Sequence, residues 1–178
     1  MKHLFLSLAA GTVMCARAFA FDLSGTIYET AGAEFDIDPV LLYSVALVES
    51  AADTEDGSET ISPYPWTLRS DKPFYGKTRK EAEAELARIL KRGSSVDVGL
   101  MQVNVRWHGH QVKNPADLLD PLTNVRTGAA ILSERLRATP KDAIKAIATY
   151  HSFDPDRGEW YARHVLRVWS RLKKLESK

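Results

Sequence analysis

The sequence contains only one cysteine in 178 residues. A single cysteine excludes an internal disulfide framework of the kind that stabilises many small secreted domains. Cys15 also lies within an N-terminal segment that has the pattern of a cleaved leader. We therefore expect a mature chain without disulfide bonds and without thiol chemistry.

Long apolar runs are missing as well, since none approaches the roughly 20 residues that a membrane-spanning helix requires. The N-terminus has a basic start at Lys2, an apolar stretch from Leu4 to Ala16, and the small-x-small sequence Ala18-Phe19-Ala20. This order is typical of a secretory signal peptide. We predict that residues 1–20 are removed before Phe21, which would give a periplasmic or secreted protein that does not span a membrane.

A basic excess is also missing. The chain has 24 Lys and Arg against 23 Asp and Glu, and cleavage would remove Lys2 and Arg17, which leaves a net charge of −1. Polyphosphate binding favours clustered positive charge, so nucleic acid is not an expected partner. Residues 21–178 show no repeat or low-complexity segment and fall within the usual length of one domain.

The most informative segment is Asp38 to Ser50, an almost unbroken apolar run that ends on a carboxylate. Asp38 can cap a helix and Pro39 suits its first position. Helical spacing places Glu49 on the apolar face, with no Lys or Arg within one turn. Desolvation and the negative end of the helix dipole would both favour a protonated Glu49, which could then act as a general acid. The alternative from spacing alone is a surface Glu at a frayed helix end.

Further helices are predicted on both sides of a polar, turn-rich segment. Residues 51–62 have the composition of a surface loop, and the short aromatic runs 64–68 and 72–76 indicate a small β-hairpin. Thr78 begins a charged helix that should end near Gly93, and Asp120-Pro121 begins a longer amphipathic one. These helices are predicted to pack around the segment that carries Glu49.

Two helices remain near the C-terminus. Thr139-Pro140 predicts the start of the first, with Ile144 directed inward, and the second is predicted to begin near Trp160. The predicted fold class is therefore mainly α, or α+β, with one small β-hairpin.

The segment Val98 to Asn104 combines a glycine, flexible apolar residues and two amides. An amide pair that faces a cleft could bind sugar hydroxyl and acetamido groups, although local backbone hydrogen bonds are the simpler explanation for amides in a turn. His108 and His110 have no nearby Cys or suitably spaced acid, so no metal site is predicted. We expect no cofactor.

Four segments occur in an order and spacing that resemble the soluble lytic transglycosylases, over about Leu23 to Leu172. They are Glu49-Ser50, Gly99 to Asn104, Ala148-Thr149-Tyr150, and Tyr161 with Val165. The resemblance implies a lysozyme-like helical domain over residues 21–178. Residues 51–98, which contain the hairpin and the charged helix, look like an insertion found in proteins of conjugative elements and secretion systems. The resemblance thus implies peptidoglycan glycan strands as substrate and proteins of a conjugation or secretion apparatus as partners.

The resemblance also implies roles for individual residues. Members of the family cleave the bond between N-acetylmuramic acid and N-acetylglucosamine without water and form a 1,6-anhydro sugar. Glu49 would be the catalytic acid and then the base. The residues that would position or bind substrate are Ser50, Gly99, Leu100, Met101, Gln102, Asn104, Tyr150 and Tyr161.

Two alternatives remain open at this stage. Goose-type lysozymes share the Gly-Leu-Met-Gln segment but hydrolyse with an acidic residue where this chain has Asn104, and Asp97 could serve as a second carboxylate. A glycan-binding assembly factor without catalysis is the other alternative. His151 departs from the Asn that is usual after the Tyr150 position.

Overall fold

The structure, a computed structural model, describes residues 21–52 and 61–176. The predicted signal peptide, its cleavage site and most of the polar segment after Ala52 lie outside these ranges. No helix among the described residues is long and apolar enough to cross a membrane.

Helices form most of the described structure. They are α1 (Ile27–Phe35), α2 (Pro39–Ser50), α3 (Arg79–Lys91), α4 (Val105–His108), α5 (Pro121–Ala138), α6 (Ala143–His151) and α7 (Pro155–Glu176). Helix α2 packs against α1 and α7, while α5 packs against α1 and α6, and α6 packs along α7. The predicted mainly helical fold is confirmed.

The central helix α2 begins where the sequence predicts. The Asp38 side chain accepts a hydrogen bond from the Val40 amide at 2.8 Å, and Pro39 occupies the first helical position. Leu42, Val45 and Ala46 are fully buried. Burying each aliphatic side chain contributes about 1.5–3 kcal/mol, so this face anchors the helix in the core and fixes the direction in which it ends.

The last two helices begin elsewhere than predicted. The N-cap of α6 is Asp142, which accepts from the Lys145 amide at 2.9 Å, so the predicted start at Thr139-Pro140 is wrong. Ile144 is 38% exposed rather than directed inward. Helix α7 begins at Pro155, five residues before the predicted start.

The strands form two small sheets. The predicted hairpin is confirmed as β3 (Thr67–Arg69) paired with β4 (Pro73–Tyr75). It belongs to a four-stranded sheet of order β4-β3-β5-β6, in which β5 is Asp97–Val98 and β6 is Val103–Asn104. The sequence therefore predicted too few strands. Strands β5 and β6 have two residues each, which is too short to show an alternating apolar and polar pattern.

The polar segment after α2 also has a strand at each of its two described ends. Strand β1 (Ala51–Ala52) pairs with β2 (Ser62–Pro63) in an antiparallel ladder, although residues 51–62 were predicted to form no element. Strand β1 follows α2 without a connecting loop, so its pairing with β2 fixes the backbone next to Glu49.

Candidate active site

A cleft of about 710 Å³ opens at the C-terminal end of α2. Its walls come from the end of α2, the end of β3, the β5–β6 hairpin, α4, the C-terminal half of α5 and the end of α6. Four of the residues proposed from the sequence line it, namely Glu49, Gln102, Asn104 and Tyr150. The cleft thus brings together segments that are far apart in the chain.

Glu49 is 6% exposed and lies at this cleft. Within the described ranges, its carboxylate forms no ion pair with Lys or Arg; its titratable neighbour is His151, whose Nδ1 lies 3.6 Å from Glu49 Oε1. Arg69 donates to the main-chain oxygen of Glu49 at 3.4 Å and not to its carboxylate. The carboxyl group is therefore largely shielded from solvent, but it borders the cleft and no Lys or Arg side chain occupies it.

Tyr161 and His151 form one side of the Glu49 environment. Their rings stack face to face, with centroids 4.3 Å apart and planes inclined by 6°. The Tyr161 hydroxyl is buried and makes no hydrogen bond of normal geometry to any described residue. Burial, followed by the nearby Glu49 carboxyl, raises the pKa of Tyr161 well above its usual value, so the phenol stays neutral beside Glu49.

Tyr150 lines the cleft and joins α6 to the hairpin segment. Its hydroxyl donates to the Met101 carbonyl at 2.8 Å. This hydrogen bond fixes the end of α6 against the turn between β5 and β6 and thereby positions His151, the next residue.

The turn from Gly99 to Gln102 depends on a residue that sequence reasoning missed. Asn124, buried in α5, accepts from the Met101 amide and donates to the carbonyls of Val98 and Leu118, each at 2.8 Å. Gly99 has a φ of +78°, and a Cβ there would lie 2.3 Å from the Asn124 Nδ2 atom. The side-chain amide of Asn124 therefore holds the turn between the paired strands β5 and β6 in its shape.

Gln102 and Asn104 both line the cleft, but protein groups already occupy most of their hydrogen-bonding capacity. Gln102 donates to the Gly99 carbonyl at 2.9 Å, and its Oε1 is buried without a partner among the described residues. Asn104 donates to Asp97 Oδ1 at 2.6 Å, and its own oxygen caps α4. Their predicted contacts with sugar groups stay predictions.

Five predicted site residues lie behind the cleft wall rather than on it. Ser50 is buried and donates to the Ala46 carbonyl at 2.9 Å, which ties its hydroxyl to its own helix instead of to Glu49. Gly99, Leu100, Met101 and Tyr161 are also buried and do not line the cleft. These positions support the wall, and direct contact of any of them with substrate stays a prediction.

Asp97 is the second carboxylate of the cleft. Burial, with a smaller contribution from the negative charge of Glu49, raises the pKa of Asp97, while the hydrogen bond from Asn104 opposes the shift. Two neighbouring carboxylates favour a state in which one of them is protonated.

Three residues on the far side of the cleft were not predicted from the sequence. They are Trp107, Arg135 and Phe153. Trp107 and Phe153 are 70% and 74% exposed, which is unusual for large aromatic side chains. Single aromatic residues carry no spacing signal, so only the fold places them at one cleft.

We expect a larger loss of stability from the Tyr150 substitution than from the Tyr161 substitution. Tyr150→Phe removes the hydrogen bond to the Met101 carbonyl and should lower the free energy of unfolding by about 1–3 kcal/mol. Tyr161→Phe removes a buried hydroxyl that lies beside Glu49 but makes no hydrogen bond of normal geometry, and should lower it by about 1 kcal/mol or less. Urea denaturation measures both, and an equal loss in the two variants would contradict these assignments.

A comparison with protein-family models finds the Transglycosylase SLT domain over residues 27–164, which is more than half of the chain. The match spans all the elements that form the cleft, from α1 to the first half of α7. No curated protein and no solved structure matches the chain significantly. The described residues contain no cluster of three or more His, Cys, Asp or Glu side chains suited to a metal ion.

Proposed function

Because the chain belongs to the transglycosylase SLT domain family, and is thus a lytic transglycosylase that acts on peptidoglycan, we propose that Glu49 is its catalytic acid and base. The proposed reaction cleaves the β-1,4 bond between N-acetylmuramic acid and N-acetylglucosamine. Its product ends in 1,6-anhydro-N-acetylmuramic acid. The observation that carries the proposal is the buried Glu49 carboxyl, which faces a cleft and has no Lys or Arg partner among the described residues.

The reaction needs one proton donor that later becomes the acceptor. Glu49 gives its proton to the glycosidic oxygen as the bond from C1 to that oxygen breaks. The substrate's own acetamido group stabilises the positive charge at C1. The hydroxyl at C6 then attacks C1, and the Glu49 carboxylate accepts its proton. No water is consumed, because the attacking oxygen is already tethered to the reacting ring and has a high effective molarity.

The surroundings of Glu49 support both stages of this cycle. Glu49 is 6% exposed, so the carboxyl group that transfers the proton is largely shielded from bulk water. His151 Nδ1 lies 3.6 Å from Glu49 Oε1, slightly beyond hydrogen-bond distance. A small approach would let the imidazole donate to the carboxylate or accept from the acid, according to its tautomer. The neutral Tyr161 phenol supplies a further polar group without adding charge.

Hydrolysis is the second candidate reaction, and Asp97 is the observation that favours it. Ordinary glycosidases use a pair of carboxylates, and Asp97 lies in the same cleft as Glu49. Asn104 already engages the Asp97 Oδ1 atom at 2.6 Å, so this oxygen is less free to activate water. The lyase needs no such group.

We therefore expect Asp97→Asn to keep forming anhydro products, with a reduction in rate of about tenfold or less, below the roughly 10²–10⁴ contributed by a general acid or base. Chromatography of the soluble muropeptides measures rate and product together. Complete loss of turnover, with the fold intact by circular dichroism, would favour a two-carboxylate hydrolase.

We also propose that the protein acts in the periplasm after signal-peptide cleavage and opens the wall locally for a conjugation or secretion apparatus. The signal-like N-terminus and the insertion over residues 51–98 support this role. A strain that lacks the protein should lose assembly of the apparatus and regain it with the wild type but not with Glu49→Gln. Rescue by that variant would indicate an assembly role independent of cleavage.

A further inference from the structure

The cleft is lined by two carboxylates and two arginines. At one end, beside the α2 C-terminus, Glu49 and Asp97 lie next to Arg69, which donates to the Glu49 main-chain oxygen and whose charge opposes the raised pKa of Asp97. Arg135 and His108 lie towards α4 and α5, together with the exposed rings of Trp107 and Phe153. Because Arg69 stands beside those two carboxylates and Arg135 does not, an anionic part of a bound ligand is attracted to the α5 side.

Arg135 is the cation of this second end. Its Nε atom is buried and makes no hydrogen bond to any described residue, and its guanidinium forms no ion pair within the described ranges. A buried donor without a partner costs about 1–3 kcal/mol. Among the described arginines, Arg135 alone has a buried side-chain nitrogen without a hydrogen-bond partner.

The Arg135 guanidinium is held in place by an aromatic ring. Its Cζ atom lies 5.1 Å from the centre of the Phe153 ring, within the range of a cation–π contact. Stacking on a ring orients the planar guanidinium while leaving its edge free for a bidentate contact with a carboxylate.

The charges around this position fit an anionic ligand. After burial, the positive charge of Arg135 is the main cause that lowers the pKa of His108, and the opposing effect of Glu134 is the smallest contribution. Glu134 is exposed and forms no ion pair with Arg135 in the described chain. The end of the cleft thus has an uncompensated positive charge.

We propose that Arg135 binds a carboxylate of the peptide stem that N-acetylmuramic acid carries, and that the enzyme thereby prefers glycan strands with acidic stems. This inference rests on the proposed function, because it assigns the anion to the peptidoglycan that occupies the cleft. The stem is the part of this substrate that carries free carboxylates. Its attachment to one of the two sugars at the cleaved bond keeps it within reach of the cleft.

The test compares two substrates that differ only in stem charge, namely soluble peptidoglycan strands with free stem carboxylates and the same strands with those carboxylates converted to amides. Removal of the stems with an amidase would be less clean, since it exposes a new carboxylate on the lactyl group. The quantity measured is kcat/KM for each substrate and each variant.

We expect Arg135→Gln to lower kcat/KM on the acidic strands by about 10- to 100-fold, the range for a lost hydrogen bond to a charged group. Its kcat/KM on amidated strands should equal that of the wild type. Arg135→Lys keeps the charge and should retain part of the preference. Arg137→Gln is the matched control, because Arg137 is on the same helix but lines a separate cavity and is exposed.

An equal loss on both substrates would overturn the proposal and assign Arg135 to cleft packing. No loss on either substrate would overturn it as well. Thermal unfolding of each variant identifies a folding defect, and Arg135→Lys then decides the outcome: a preference ratio above one supports carboxylate binding and a ratio of one refutes it. Failure of the proposed function itself is distinguishable, because Glu49→Gln would then remain active on both substrates.

Discussion

Glu49→Gln should abolish the release of soluble muropeptides from peptidoglycan. The amide has the size of the acid but can neither protonate the glycosidic oxygen nor accept the C6 hydroxyl proton. Loss of one general acid–base group costs about 10²–10⁴ in rate, and we expect the upper part of this range because Glu49 serves in both stages. The loss should fall on kcat, since substrate binding by the rest of the cleft is unchanged.

The fold should survive this substitution. Glu49 forms no ion pair with Lys or Arg in the described structure, and a neutral amide is less costly to bury than a carboxylate. Glu83→Gln, at an exposed position of α3, is a matched control that should keep wild-type activity. Undiminished turnover by Glu49→Gln would contradict the assignment of this residue.

Gly99→Ala should be among the most destabilising small substitutions in the cleft wall. A left-handed φ costs a non-glycine residue about 1–2 kcal/mol, and Gly99 has a φ of +78°. The added Cβ would also approach the Asn124 Nδ2 atom to 2.3 Å and the Leu118 carbonyl oxygen to 2.9 Å. Overpacking of this kind typically costs about 1–3 kcal/mol more.

The activity of the Gly99→Ala variant should fall together with its stability. Asn124 holds the Met101 amide, and the Met101 carbonyl accepts from the Tyr150 hydroxyl, so displacement of Asn124 loosens the wall opposite Glu49. Gly93→Ala is the control that separates backbone strain from the steric clash with Asn124. Gly93 also has a positive φ, of +71°, but a Cβ added there would have no atom within 4 Å. Equal losses of unfolding free energy in the two variants, measured in urea, would show that the contact with Asn124 contributes nothing.

The parts of the fold that are predictable from the sequence are those fixed by local chemistry. Asp38-Pro39 caps α2, and the following apolar face leaves no alternative to burial. The start of α6 was mispredicted because both Thr139-Pro140 and Asp142 are suitable caps, and tertiary packing selects Asp142. The start of α7 was hidden by Gly158, a poor helix former that is required where α7 contacts the Ser152 carbonyl and Ala148.

In the candidate site, too, some residues are predictable from the sequence and others are not. Glu49 could be found from the sequence because a carboxylate at the end of an apolar helix contradicts the local pattern. Asn124 and Arg135 could not, since each is an ordinary polar residue in an amphipathic helix until the fold brings its partners to it. Ser50 stands beside Glu49 in the sequence, yet the helix directs its hydroxyl to the Ala46 carbonyl.

The most direct measurement is mass spectrometry of the muropeptides that the wild-type protein releases in ¹⁸O-labelled water. If Glu49 acts as acid and then base for attack by the C6 hydroxyl, every new muramic acid end is anhydro, lacks one water and carries no label. Reducing ends that contain one ¹⁸O atom would show that water attacks C1, which would contradict the proposed role of Glu49 and favour Asp97 as the second catalytic carboxylate.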